Sequence, residues 1–390
     1  MTKQQAHQQR PAHQPASTEA ADRRLKFGVS TDFQEQLRER VDKFFRNTGR
    51  RQRDCWQMYL KTAILLTFFA ALYVLGVFVA QTWWQALPLT ILLGLTAAGI
   101  GFNIQHDGGH HAYSNRPWVN KLMAMSLDLL GGSSYIWARK HNSIHHTYAN
   151  ITGHDDDINI GLFGRLSPHQ PRLKVHRFQH FYLWALYGFL PIKWQVYDDF
   201  RDVLTGRIGT HRFARPKGWD LATLILGKVI FFSLALVIPL LLHPVWAVLL
   251  FYAAASWVQG VVLSVVFQLA HCVEEAAFPM PAENTGRMET AWAVHQVETT
   301  VDFARKSRLL SWLIGGLNFQ IEHHLFPRIC HVNYPALSKV VEETCRDFAV
   351  KYTEHPTLGA GLASHFRWLR RMGRQESAVR SPESGIRNQE

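Results

Sequence analysis

Apolar residues in this chain are clustered rather than spread. From Thr62 to His106, and again from Val229 to Val273, there is no Asp, Glu, Lys or Arg. One membrane-crossing helix takes about 20 apolar residues at about 1.5 Å each. Each run is roughly twice that length, so each reads as two crossings. Each run also contains a break, Gln81 to Pro88 in the first and His243 to Trp246 in the second. Tryptophan favours the membrane–water boundary and proline a turn. The pattern predicts helices near 62–81, 86–106, 222–242 and 246–268, arranged as two hairpins in an all-α integral membrane protein. Hairpins buried inside a soluble protein fit runs of this length poorly.

Charge gives the expected orientation. The two break loops carry no Lys or Arg, whereas the segment before Lys61, the middle region and the C-terminal region are rich in both. Positive loops stay in the cytoplasm, so both termini and the long middle segment are expected there, as a helical cap. A formal net charge of +12 suits a protein lying against anionic headgroups. The basic residues flank the spans and form no single stripe, which argues against a nucleic-acid partner. Cys55, Cys272, Cys330 and Cys345 form no CxxC pair and are expected to be free thiols. The N-terminal tail has no apolar core for a cleaved signal peptide. The expected organisation is a disordered tail over 1–25, a basic cytoplasmic helical segment over 26–61, a membrane body over 62–345, and a helix with a flexible tail over 346–390. Within the body, 106–220 and 269–345 are the cytoplasmic regions.

Twenty-one histidines are present, and their placement matters more than their number. His106 and His110 stand at i, i+4, a spacing that puts two side chains on one helix face. Gly108 and Gly109 between them permit close approach. His141 and His145 repeat the spacing in "HNSIHH", which adds His146; His323 and His324 sit in "QIEHH", after Gln320; His271 lies at the end of the fourth predicted span. On the predicted topology all four groups meet at one membrane face. Neutral imidazole is a good ligand for iron, zinc, copper and nickel. Eight imidazoles exceed what one tetrahedral zinc needs and suit two ions of octahedral habit. Asp107, Asp155, Asp156, Asp157 and Glu322 are candidates to hold the outer ring N–H groups and fix the tautomers. The roles of His111 and of His295-Gln296 stay open. His7, His13, His169, His176, His180, His211, His243 and His365 read as ordinary histidines.

Two histidine-bound irons at a membrane face point to oxygen chemistry on an acyl chain, because a saturated methylene offers nothing to acid–base groups. The 24 Phe, 13 Trp and 11 Tyr include enough aromatic surface to line an apolar tunnel.

The order HDGGH (106–110), HNSIHH (141–146) and QIEHH (320–324) resembles the three histidine boxes of membrane fatty acid desaturases, and the likeness runs from about 60 to 345. The segment "GGLNFQIEHHLFPRICHVNYPAL" (315–337) looks like the third box of front-end acyl desaturases and their bacterial relatives, in which Gln replaces the first histidine. The resemblance implies a di-iron site held by His106, His110, His141, His145, His146, His323 and His324, with His271 as the extra ligand. Gln320 is then a weak oxygen ligand, directly or through water, or stands behind the ligands. It also implies O2 as co-substrate and a long-chain acyl-CoA or acyl-lipid substrate. Many eukaryotic relatives carry a fused cytochrome b5 domain with an HPGG motif; the first 60 residues hold no such motif. An external ferredoxin or free cytochrome b5, with its reductase, is the expected electron donor, in a bacterial inner membrane. A basic surface suits docking of an acidic ferredoxin. The alternatives are a hydroxylase or acetylenase on the same scaffold and a membrane zinc hydrolase of lipid amides or esters, for which eight histidines are a surplus. A metal transporter would place its ligands mid-membrane.

Overall fold

The computed structural model describes residues 25–29 and 32–375. The expected disordered tail, apart from Leu25, and the tail beyond Gln375 lie outside the described residues. The chain is mostly helical. Among the described residues, two pairs of two-residue strands are the exception to the all-α expectation, Arg207–Ile208 with His211–Arg212 (antiparallel) and Asp302–Phe303 with Glu354–His355 (parallel).

Helix α1 (Asp32–Thr48) is amphipathic, and Phe33, Leu37, Val41 and Phe45 recur every four residues on its buried face. Among the described residues, four helices are long and apolar enough to cross a membrane: α2 (Trp56–Val79), α3 (Trp83–Gly109), α4 (Gly218–Leu240) and α5 (Val245–His271). Their boundaries differ from the charge-free runs. α2 starts before Lys61, and α4 contains Asp220 and Lys228, because both lysines are buried and hydrogen-bonded rather than left in an apolar medium. The Lys228 ammonium reaches the Asp199 carboxylate at 2.7 Å and the Gly131 carbonyl at 2.7 Å. The break between α2 and α3 is shorter than expected. Pro88 lies inside α3, whose first turn is held by Gln85 Oε1 accepting from the backbone of Gln81 and Thr82.

α3 packs closely on α5. A Cβ on Gly94 would stand 2.5 Å from the Ala255 carbonyl oxygen, so the absence of a side chain there lets two apolar helices touch. Shorter helices follow. α6 (Trp292–Glu298), α7 (Gln320–Leu325) and α8 (Tyr334–Asp347) share one core with α1, through Val297, Ile321, Leu337 and Val341. α9 (Leu358–Arg374) packs Trp368, Leu369 and Met372 against Leu183 and Tyr187. Its C-terminal carbonyls, which a helix cannot satisfy itself, are taken by the buried Arg165 guanidinium at Met372 (2.8 Å) and Gln375 (2.7 Å).

Candidate metal centre

Two of the histidine groups sit where a helix is locally altered. A π-helical turn over Gly101–Gln105 interrupts α3 just before His106. Such turns occur often at functional sites because they rotate the residues that follow. A second π-helical segment, Ala138–His145, carries His141 and His145 and delivers His146 at its end. His323 and His324 lie on α7, and His271 is the last residue of α5. Gly109 makes the meeting possible, since a Cβ there would enter the Trp137 indole, and Trp137 stacks on His141 with centroids 4.6 Å apart.

All eight histidines are buried and form one body. His106, His110, His141 and His323 bring ligand atoms within 4.8 Å of one another, and so do His145, His271 and His324. His146 joins the sets, with ring centroids 4.6 Å from His323 and 4.3 Å from His324. His141 Nε2 lies 3.2 Å from Nε2 of both His106 and His146.

Four of the outer nitrogens have partners. His324 Nδ1–H donates to Gln296 Oε1 at 2.8 Å, and His271 Nδ1–H to the Thr299 carbonyl at 3.3 Å. His145 Nδ1 meets the Asp155 carboxylate at 3.1 Å, and His323 Nδ1 meets the Tyr334 hydroxyl at 3.2 Å. Nε2 of His110, His323 and His324 is buried without a hydrogen-bond partner. A buried polar atom left this way costs about 1–3 kcal/mol, and three of them facing other imidazoles fit a site built for metal cations.

The electrostatics agree. Burial, then the neighbouring imidazoles, holds His110, His146, His323 and His324 well below the usual histidine range, so their lone pairs are free for a metal. At His145 burial acts in the same direction, but Asp155 and Asp157 outweigh it and raise the imidazole. Asp157 also pairs with Lys140 at 3.3 Å.

A family profile for fatty acid desaturases matches residues 81–356. The chain belongs to the fatty acid desaturase family. It is 36% identical over 352 residues to the sn-1 linoleoyl-lipid 6-desaturase of Synechocystis, covering 90% of this chain and 98% of that one. It is 38% identical over 354 residues to the protein of the same name from Arthrospira platensis, covering 90% and 95%. An acyl-lipid (8-3)-desaturase of Physcomitrium patens is 36% identical over 349 residues, covering 88% and 72%. The chain is therefore an oxidoreductase of lipid metabolism, with a desaturase's histidine boxes buried together.

The residues expected behind the ligands divide. Asp155 lies on a box histidine, whereas Asp107, Asp156 and Glu322 have other partners. Asp107 pairs with His331 (3.0 Å), Asp156 with Lys140 (3.1 Å), and Glu322 accepts from the Tyr352 hydroxyl (3.0 Å). Burial and then Asp302 push the Glu322 carboxyl well above its usual range, within the Tyr352 network. Gln320 is buried and its Oε1 is unpartnered. His295 Nε2–H donates to the Ala149 carbonyl (3.0 Å), while Gln296 supports His324. His111 is exposed, with φ 58°. Sequence reasoning missed Tyr334, Thr299, His331 and Lys61. Of these, only Lys61 carried a signal, as a lysine one residue from a 45-residue stretch without charge.

Proposed function

We propose that this chain is an acyl-lipid desaturase that inserts a cis double bond into a long-chain acyl group, between an existing double bond and the carboxyl end. The observation that carries this reading is the pair of buried histidine sets with inward, unpartnered nitrogens at the end of an apolar cavity. Leu127, Leu130, Phe102, Trp137, Trp194, Leu263 and Phe267 line that cavity beside His106. The names of the cyanobacterial relatives supply the substrate class and the front-end position.

His106, His110, His141 and His323 would hold one iron, and His145, His271 and His324 the other, with His146 between the sets and Gln320 Oε1 as a further oxygen donor. Bound there, the iron pair would supply the O2-derived oxidising power needed to remove hydrogen from an unactivated methylene. The protein's share is positional. Asp155, Gln296, Tyr334 and Thr299 fix ring orientation and tautomer. Trp137 lines the cavity and packs on the rings of His110 and His141. The cavity of about 20 Å³ admits water but no chain, so its walls would have to part as substrate enters. Two hairpins in a bacterial inner membrane, capped on the cytoplasmic side, would present the site to a ferredoxin or free cytochrome b5 that delivers two electrons. The acyl group would enter from the bilayer.

The test is mass-spectrometric mapping of double bonds in a host expressing the chain with donor and reductase, against His145→Ala as control. A new cis double bond on the carboxyl side of an existing one, dependent on His145, is expected. A hydroxylated product would move the reading to a hydroxylase, and activity retained by His145→Ala would remove the ligand assignment.

A further inference from the structure

Two carboxamides stand in the wall of the cavity, Gln105 on the π turn of α3 and Gln259 on α5. Gln259, Leu263 and Phe267 form a stripe at four-residue spacing, as expected for one helix face. Most of the remaining lining is apolar. Gln105 is only 4% exposed, and its Nε2 is buried without a hydrogen-bond partner. Burying an amide N–H unpaired costs free energy, and at this position a leucine or methionine would avoid that cost. A saturated acyl chain offers the amide nothing, because it has no acceptor. A cis double bond does, since its π face is a weak hydrogen-bond acceptor, of the same order as other weak N–H contacts. Gln105 immediately precedes His106, so a chain whose reacting methylenes face the histidines would run past this amide within a few carbons.

We infer that Gln105 is a specificity residue that reads existing unsaturation: its side-chain N–H donates to the π face of a cis double bond already present in the acyl chain. The inference rests on the acyl-lipid desaturase reading above. It explains why a donor without a partner is kept in an apolar wall, and why the chain accepted is one desaturated already. A weak contact of this kind corresponds to roughly a two- to fivefold preference.

The experiment compares the wild-type chain with Gln105→Met, which keeps length and removes the donor. Equal amounts of a saturated and a cis-unsaturated acyl chain of the same length are supplied to the expressing host, and products are normalised to incorporated precursor. Bound iron is measured in each purified protein. In parallel, binding of the two chains to purified protein in nanodiscs is followed by tryptophan fluorescence, because Trp137 and Trp194 line the same cavity. The expected result is a wild-type preference for the unsaturated chain that falls two- to fivefold in Gln105→Met, in product ratio and in binding ratio, at unchanged iron content. An unchanged ratio, or a wild type without preference, overturns the inference and leaves the desaturase reading standing. Should Gln105→Met lose iron, Gln105→Asn, which keeps a carboxamide but draws it back, takes its place and is expected to show a reduced preference. Loss of iron in both makes Gln105 structural and overturns the inference. A wild type that desaturates neither chain, with donor and reductase present, overturns the proposed function and this inference with it.

Discussion

Lys61 is a cation in the first candidate span, and its replacement gives a sharp test of how the site is braced. Its ammonium donates to Asn103 Oδ1 (2.7 Å) and the Trp312 carbonyl (2.8 Å), and lies 3.0 Å from His331 Nε2. His331 in turn pairs with Asp107, next to His106, at 3.0 Å. Lys61→Met leaves two buried polar atoms and one half-buried carbonyl without this partner. At about 1–3 kcal/mol each the loss is about 3–9 kcal/mol. Removing a buried ammonium returns part of it, so a net destabilisation of about 3–5 kcal/mol is expected. The four cysteines are free and buried, which makes a thiol-reactive fluorophore a suitable reporter of unfolding in detergent. Cys330, beside His331, is also a local one. Lys61→Met should melt well below wild type and label Cys330 faster at temperatures where the fold persists, with Lys61→Arg between them. A melting temperature and Cys330 labelling rate equal to wild type would refute the reasoning.

Other perturbations have equally definite outcomes. Asp155→Asn replaces the carboxylate at His145 and should lower metal affinity about 10- to 100-fold, measured by competition with a chelator; unchanged retention would exclude its orienting role. Asp128 is buried, and burial pushes its carboxyl up to about 6 from about 3.9 in an unfolded chain. Its protonated form therefore stabilises the fold fully below about pH 4, and this stability is lost as pH rises through 6. Asp128→Asn should remove the loss, worth about 3 kcal/mol at most, and raise the melting temperature at pH 7 but not at pH 4; an equal effect at both would refute it. Gly109→Ala drives a methyl into Trp137 and should cost about 1–3 kcal/mol from overpacking together with bound metal. Normal metal content in that variant would show that the indole can yield.

The histidine boxes were legible because two independent periodicities coincide in them. The i, i+4 spacings at His106/His110 and His141/His145 fall at the ends of apolar runs, and both regularities have a direct structural cause. Charge marked helix ends less well. Lys61 read as a boundary, yet it lies inside a helix because distant segments, Asn103 and Trp312, supply its partners; Lys228, inside the span expected over 222–242, is likewise held by Asp199 and Gly131. The same long-range character hid Gln296 and Tyr334, whose contacts with His324 and His323 depend on how α6 and α8 pack on α7. Proximity in sequence misled at Asp107 and Glu322. Each adjoins a box histidine, but neighbours on a helix point to different sides, and both carboxyls turn to other groups. The π turn at Gly101–Gln105 leaves no mark in an apolar periodicity. Its effect is visible only in which residues share the cavity wall.

The central claim is that eight buried histidines hold two irons, and the most direct measurement of it is metal stoichiometry. The chain would be purified from iron-replete cells, with metal determined by mass spectrometry and protein by amino-acid analysis. The account predicts two metal ions per chain, falling to one or none in His324→Ala, whose nitrogen belongs to the set with His145 and His271. A single ion per chain, or two ions retained after that substitution, would contradict it.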